Sequence, residues 1–90
     1  MQPLVSVIIP IYNMEAFLAE TLQSVLASTY PHFEVILVDD GSTDKSVEIA
    51  QTFVHNDQRV HLFRQENAGP CRARNRAVQE SKGKYIFPHD

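Results

Sequence analysis

The sequence predicts an α/β fold, a Rossmann-like parallel sheet with helices on both faces. Two observations predict it. Four short apolar segments rich in β-branched residues alternate with three segments whose apolar residues recur at helical spacing. The connections between them are short, which is typical of parallel strands joined by crossover helices. With 90 residues, of which 43% are hydrophobic, the chain has room for one core.

The first strand is predicted over residues 4–10, LVSVIIP, which are almost continuously apolar and therefore suit a central strand covered on both faces. Pro10 cannot donate to a ladder, so it is expected to close the strand. Asn13 then supplies an N-cap for a first helix that begins at Met14 and ends near Thr29. The apolar face of this helix is predicted to comprise Phe17, Leu18, Leu22, Val25 and Leu26.

The second strand is predicted over residues 33–38, FEVILV, and it runs into the polar loop DDGSTD. Ser42 or Thr43 can cap the second helix, which Asn56 and Asp57 end. The buried side of this helix is predicted to comprise Val47, Ile49, Ala50, Phe53 and Val54. The second strand therefore delivers carboxylates and hydroxyls to a loop.

The third strand is predicted over residues 60–63, VHLF, and is followed by a loop over residues 65–69. Pro70 suits the first position of a third helix, which ends before Gly83. A fourth strand begins at residue 85, and Pro88 shortens it or sends it to an edge. The small-residue buried face of the third helix is predicted to comprise Cys71, Ala73, Ala77 and Val78.

Composition excludes several classes of protein. The formal net charge is −3, whereas a nucleic-acid-binding module normally carries an excess of lysine and arginine. No apolar run reaches the roughly 18 residues needed to cross a bilayer, and the N-terminus lacks the basic segment of a signal peptide. Cys71 is the only cysteine, and the four histidines show no zinc-ligand spacing. A reducing, cytoplasmic location is expected for this domain.

Charge is distributed unevenly along the chain. Residues 1–44 contain six carboxylates and no lysine or arginine, whereas residues 45–90 contain eight basic and five acidic side chains. This polarity suits a cleft in which carboxylates and guanidinium groups face one ligand, and it equally suits two oppositely charged solvated faces.

Ligands of parallel sheets bind beyond the carboxyl ends of the strands, which makes the residues there the candidates for function. Tyr12 can stack on a planar ligand or simply pack. One of Asp39 and Asp40 can accept an N–H of a ligand while the other bonds loop amides, or both can serve only the turn. Asp90 is a candidate metal ligand, but a single carboxylate is not a metal site.

Several nucleotide and hydrolase motifs are missing. The three glycines, Gly41, Gly69 and Gly83, form neither a glycine-rich P-loop nor a GxGxxG fingerprint. There is also no Gly-x-Ser-x-Gly elbow. A bound nucleotide would therefore need a metal ion or the basic third helix to hold its phosphates.

Four segments in this order and spacing resemble the start of family-2 glycosyltransferases: VSVIIPIYN, EVILVDDGSTD, NAGPCRARNRA and GKYIFPHD. The resemblance covers residues 5–90 and implies a partial A-type glycosyltransferase fold. It implies that Pro10, Tyr12 and Asp39 surround the nucleoside, with Asp39 accepting from a uracil-type N–H. Asp40 is expected to belong to the hydrogen bonding of its own loop.

The same resemblance implies that Gly69 and the Arg74-Asn75 pair lie near the nucleotide. Asp90 aligns with the opening aspartate of the family's Asp-x-Asp motif, which holds the ribose and a divalent cation, Mn²⁺ or Mg²⁺. Pro88 and His89 replace the more usual apolar pair before that motif. The second aspartate, the catalytic base and the acceptor site are expected beyond residue 90, so this chain alone is expected to be inactive.

The resemblance thus implies that residues 1–90 are the nucleotide-sugar-binding portion of an inverting glycosyltransferase, truncated at its C-terminal end. Its donor is expected to be a UDP-sugar, and its acceptor a glycan, lipid or protein. Two alternatives remain open at this point. One is a receiver-type signalling domain, and the other is a non-catalytic nucleotide- or protein-binding module. An open edge on the fourth strand also predicts self-association.

Overall fold

A computed structural model describes residues 3–83 and 85–88, the last four through their backbone only. These residues form four strands and three helices in strict alternation. The strands are β1 (Val5–Ile11), β2 (Phe33–Asp40), β3 (Val60–Gln65) and β4 (Tyr85–Pro88), and the helices are α1 (Leu18–Leu26), α2 (Ser46–Asn56) and α3 (Pro70–Glu80). The predicted order of elements is therefore confirmed.

All strand pairs in the described sheet are parallel, in the spatial order β3-β2-β1-β4. Every residue of β2 is buried, as expected for a strand with a neighbour on either side and helices above and below it. β1 is also internal, as predicted, and it continues one residue beyond Pro10. β4 pairs with β1 and lies at the edge of the described sheet, with Pro88 as its last residue.

The side-chain alternation of the strands creates two cores. One face of the sheet packs against α1 and α2 through residues such as Ile9, Leu37 and Leu22, all at most 1% exposed. The opposite face packs against α3 through Ala73 and Ala77. Helices on both faces, as predicted, leave the carboxyl edge of the strands as the place where the connecting loops meet.

Helix α1 begins later than predicted, at Leu18 rather than Met14, and Phe17 is 65% exposed instead of buried. Asn13 is not its N-cap. The Asn13 backbone is left-handed, with φ of 50°, and its side-chain oxygen accepts a hydrogen bond from the Thr43 amide at 2.8 Å. Because a neighbouring loop occupies this side chain, the chain makes a turn before α1 starts.

The other helix predictions are correct in part. α3 begins at Pro70 and buries Ala73 and Ala77, but Cys71 and Val78 are exposed. Neither Ser42 nor Thr43 caps α2, whose preceding residue is Lys45. Both loop residues instead bond Asn13 on the β1–α1 loop. No helix in the described part of the chain is long and apolar enough to span a bilayer.

Candidate functional site

Reciprocal hydrogen bonds join the loop that follows β1 to the loop that follows β2. The Asn13 amide donates to Ser42 Oγ at 2.9 Å, while the Thr43 amide donates back to Asn13 Oδ1. Two further amides of the first loop donate to side chains of the second, namely Met14 N to Ser46 Oγ at 2.7 Å and Glu15 N to Asp44 Oδ2 at 3.0 Å. The position of Tyr12 is thereby fixed relative to the end of β2.

Asp44 is the ionised group in this junction. Partial burial alone would raise the pKa of its carboxyl. Hydrogen bonds from the Ser46 hydroxyl and amide and from the Glu15 amide outweigh burial and leave the pKa below its ordinary value. The Asp44 side chain, one of several that join the two loops, therefore carries a negative charge at neutral pH.

Asp39 and Asp40 point to opposite faces of the sheet because successive side chains of a strand alternate. Asp40 is 4% exposed, and its carboxylate accepts hydrogen bonds from Gln65 Nε2 at 3.0 Å, Ala68 N at 2.8 Å and Gly69 N at 3.0 Å. The hydrogen bond from Gln65, followed by those from the two amides, holds the pKa of Asp40 below its ordinary value despite burial. Asp40 was expected to serve the hydrogen bonding of its own loop, and this prediction is wrong. Its donors come from the end of β3 and the loop that follows it, whereas Asp39 bonds the β2–α2 loop through Ser42.

Asp39 is fully buried, and its two oxygens differ. Oδ2 accepts a hydrogen bond from the Ser42 amide at 3.1 Å. Oδ1 has no hydrogen-bond partner among the described residues. A buried carboxylate oxygen without a donor is unfavourable, so Oδ1 is the polar atom of this region that requires an explanation.

A cleft of about 370 Å³ opens between the β1–α1 loop and the start of α3. Pro10, Tyr12 and Gly69, three residues that the sequence singled out, line it together with Asp40. Tyr12 is 49% exposed, which leaves much of its side chain accessible to a ligand. Asp39 is not part of the lining, although its neighbour Asp40 and its own register partner Ile11 are.

The cleft is also lined by residues that the sequence analysis did not identify as binding residues: Ile11, Met14, Asn67, Pro70 and Ala73. Met14 and Asn67 lie in the loops that follow β1 and β3, so their position after a strand was the available signal. Asn67 was predicted only as part of a loop. Its backbone packs against Gly41, which brings the β2–α2 and β3–α3 loops together.

Two glycines in these loops have left-handed backbones, and they give a matched pair for substitution. Gly41 has φ of 80°, and a Cβ there would lie 2.9 Å from the Asn67 nitrogen, whereas Gly69 has φ of 98° and open space around it. We expect Gly41→Ala to lower the free energy of unfolding by about 2 to 3 kcal/mol, and Gly69→Ala by about 1 kcal/mol. Urea denaturation measures both. Equal losses would contradict a close contact between the two loops.

The other predicted site residues are Arg74 and Asp90. Arg74 is exposed on α3 and does not line the cleft, so its role near the nucleotide stays a prediction. Arg76 lies over the Phe63 ring at 5.5 Å and bonds Glu80 at 3.0 Å. Asp90 lies outside the described residues. Within residues 3–83, no group of three histidine, cysteine or acidic side chains could hold a metal ion.

Comparison with known proteins identifies the family. The model of "Glycosyl transferase family 2" matches residues 6–90. The chain belongs to glycosyltransferase family 2. This membership confirms the resemblance predicted from the four sequence segments, and it excludes the receiver-type alternative.

Relatives within family 2 are similar over nearly the whole chain. Glycosyltransferase GlyG of Streptococcus pneumoniae is 46% identical over 87 residues, covering 96% of this chain and 29% of the relative. The putative teichuronic acid biosynthesis glycosyltransferase TuaG of Bacillus subtilis is 43% identical over 86 residues, covering 94% of this chain and 34% of the relative. The chain thus spans about a third of the length of these relatives.

Solved structures of glycosyltransferases share its fold. S. aureus TarS 1–349 in complex with UDP-GlcNAc superposes with a TM-score of 0.88 at 32% identity, covering 96% of this chain and 26% of that one. The mannosyltransferase PcManGT of Pyrobaculum calidifontis, in complex with GDP-Man and Mn²⁺, gives 0.87 at 27% identity with the same coverage. The predicted α/β fold of the A-type glycosyltransferase kind is confirmed.

Proposed function

We propose that residues 1–90 are the nucleotide-sugar-binding portion of an inverting glycosyltransferase. The enzyme would transfer a sugar from a UDP-sugar to an acceptor hydroxyl of a glycan, lipid or protein, in glycan or polysaccharide synthesis. Membership of family 2 supports the reaction class. The observation that carries the choice of ligand is the buried Oδ1 of Asp39, which has no donor among the described residues.

In the proposed complex, the base of the nucleotide enters the cleft beside Tyr12 and stacks on its exposed ring. Asp39 lies behind this lining, next to Asp40 and paired in register with Ile11, and its Oδ1 is proposed to accept the imino N–H of uracil when the base occupies the cleft. A hydrogen bond to a buried, charged acceptor is stronger than one between neutral groups, so this contact would discriminate between bases. Pro10 and Gly69 line the cleft with little side-chain bulk, and Arg74 and Asp90 are proposed to lie near the phosphates and ribose.

The proposed reaction is a direct displacement at the anomeric carbon of the sugar. A carboxylate base removes the proton of the acceptor hydroxyl, the hydroxyl oxygen forms the new glycosidic bond, and the nucleoside diphosphate leaves with the electrons of the broken bond. We assign no base within residues 1–90. The contribution of this chain is to bind and orient the donor, which lowers the entropic barrier of the transfer.

The proposal includes a divalent cation, Mn²⁺ or Mg²⁺, for which Asp90 is the one proposed ligand in this chain. The similar mannosyltransferase PcManGT was solved in complex with Mn²⁺. The described residues of this chain do not fit such an ion, because Asp40 already accepts three hydrogen bonds and no group of three histidine, cysteine or acidic side chains among residues 3–83 could hold a metal. Hard cations need several oxygen ligands, so no step of the reaction is assigned to a metal here.

A calorimetric titration with UDP, with and without Mn²⁺, and with ADP as the control nucleotide, tests the proposed function. We expect UDP to bind at least about tenfold more tightly than ADP, because uracil presents a ring N–H to Asp39 whereas the six-membered ring of adenine has only acceptor nitrogens. The cation proposal predicts that Mn²⁺ strengthens UDP binding. Equal affinity for UDP and ADP, in folded protein, would contradict the assignment of Asp39. Selective UDP binding without sugar transfer by the full natural polypeptide would support the non-catalytic binding module instead.

A further inference from the structure

Ser6 and Glu34 form a buried polar pair near the amino ends of β1 and β2, away from the candidate site at the carboxyl ends. They are register partners on β1 and β2, and both residues are buried: Ser6 is 0% exposed and Glu34 is 7% exposed. Ser6 Oγ donates to Glu34 Oε2 at 2.6 Å. The nucleotide-binding proposal uses neither residue.

Both side chains also bind the segment that leads into β4. The Lys82 amide donates to Glu34 Oε2 at 2.7 Å, and the Gly83 amide donates to Ser6 Oγ at 2.8 Å. At Gly83 the approach is so close that a Cβ would lie 2.7 Å from the Ser6 nitrogen. Three strands are therefore joined at one point by a carboxylate, a hydroxyl and two consecutive amides. We call this group of Ser6, Glu34, Lys82 and Gly83 the β4 clip.

A buried carboxylate is a costly way to stabilise a sheet, because an apolar side chain of similar size would avoid the desolvation penalty. What a carboxylate adds is a hydrogen-bond acceptor at a fixed position, which favours one alignment of the neighbouring backbone over others. β4 has only four residues and pairs with β1 alone in the described sheet. A one-residue slip would reverse the faces of all its side chains, and a two-residue slip would move its end by about 7 Å. In the observed register the clip accepts the Lys82 and Gly83 amides, and the close approach to Ser6 leaves room there only for a glycine.

We propose that Glu34 is a positioning residue for the transferase reaction. It fixes the register of β4 on β1 by accepting the Lys82 amide directly and by orienting Ser6, which accepts the Gly83 amide. β4 runs parallel to β1, so this register sets where the chain emerges at the carboxyl edge, beside the residues of the cleft. Asp90 follows β4 in sequence by two residues. Glu34 thus acts, from the amino ends of the strands, on the register of the strand that precedes Asp90. This inference rests on the proposed function only for its kinetic consequence.

Hydrogen exchange of the backbone amides, measured on the full natural polypeptide, tests the register directly. We expect Glu34→Ala to accelerate exchange in β4 by at least about tenfold and to leave α2 within about threefold of the wild type. Glu34→Gln keeps an acceptor oxygen for both donors and should restore β4 protection to within about threefold of the wild type. Glu48→Ala, on the exposed face of α2, is the matched control and should change β4 exchange little. If the Glu34 variants do not fold, Ser6→Ala tests the same clip with a smaller change.

The kinetic test compares kcat with UDP affinity in the same variants. A positioning role predicts that Glu34→Ala lowers kcat by at least about tenfold and weakens UDP binding by a clearly smaller factor. Among the proposed nucleotide contacts only Asp90 follows β4, whereas Pro10, Tyr12 and Gly69 line the cleft from β1 and from other loops. Unchanged β4 exchange, acceleration spread equally over the chain, or faster β4 exchange with unchanged kcat would each overturn the inference. A wild-type protein without transferase activity would refute the proposed function and the kinetic role of Glu34, while the exchange measurement would still decide the register.

Discussion

Asp40→Ala is expected to lower the free energy of unfolding by about 3 kcal/mol, the largest stability loss that we predict for this chain. The substitution leaves two loop amides, those of Ala68 and Gly69, and the Gln65 side-chain amide without their acceptor. Asp40 is 4% exposed, so water cannot fully replace it. An unpaired buried donor costs about 1 to 3 kcal/mol, which sets the estimate. Urea denaturation followed by circular dichroism measures the loss.

Asp57→Ala is the matched control for Asp40→Ala. Asp57 also has a lowered pKa, first because of the hydrogen bond from the Arg59 side chain, and its ion pair at 2.8 Å lies near the surface. Both side chains of that pair are partly exposed, so its loss should cost no more than about 1 kcal/mol. Equal losses in the two variants would contradict the view that Asp40 holds the β3–α3 loop.

The pH dependence of stability provides a second measurement on Asp40. Its pKa in the folded chain is lower than the ordinary value of 3.8, so ionised Asp40 stabilises the folded state above that value. The contribution is lost as pH falls below about 4 and passes through the lower pKa of the folded state. We expect Asp40→Asn to make stability less dependent on pH in this window than in the wild type. An unchanged slope would show that Asp40 is not the titrating group.

Much of the fold follows from local sequence patterns. Two long apolar strands, 33–38 and 4–10, can be buried only in the middle of a sheet, and Pro70 marks the start of α3 through its fixed backbone angle. The predicted start of α1 was wrong because an asparagine side chain can either cap a helix or bond another loop. In this chain Asn13 accepts a hydrogen bond from Thr43, thirty residues away in sequence, and so does not cap α1. Such choices depend on tertiary contacts and leave no local signal.

The candidate site shows the same division. The rule that ligands bind at strand ends placed Tyr12 and Gly69 in the cleft. Strand alternation also implies that Asp39 and Asp40 cannot share a role, because they lie on opposite faces. Sequence alone could not show that Gln65 and the amides of Ala68 and Gly69 all donate to Asp40. It also gave no sign of the pairing of Ser6 with Glu34, since a polar residue in an apolar strand reveals its partner only once the register is known.

The buried oxygen of Asp39 predicts opposite effects on binding and stability. In Asp39→Asn, the Ser42 amide still needs an acceptor, so the side-chain oxygen should remain at Oδ2 and the new NH₂ group should occupy the position of Oδ1. That group is a donor and cannot accept the imino N–H of uracil. We expect the affinity for UDP to fall by about 10- to 100-fold. The free energy of unfolding should stay equal or rise, because an unpartnered buried carboxylate is removed.

Cytosine provides the decisive comparison, since its ring nitrogen at the corresponding position accepts a hydrogen bond where that of uracil donates one. The wild type is therefore expected to prefer UDP to CDP, and Asp39→Asn should weaken or reverse that preference. Calorimetric titration of both proteins with both nucleotides measures the four affinities, and Asp57→Asn, remote from the cleft, is the control. A parallel loss for UDP and CDP would mean that Asp39 only supports the loop through Ser42. A loss confined to UDP would assign base recognition to the Oδ1 atom of Asp39.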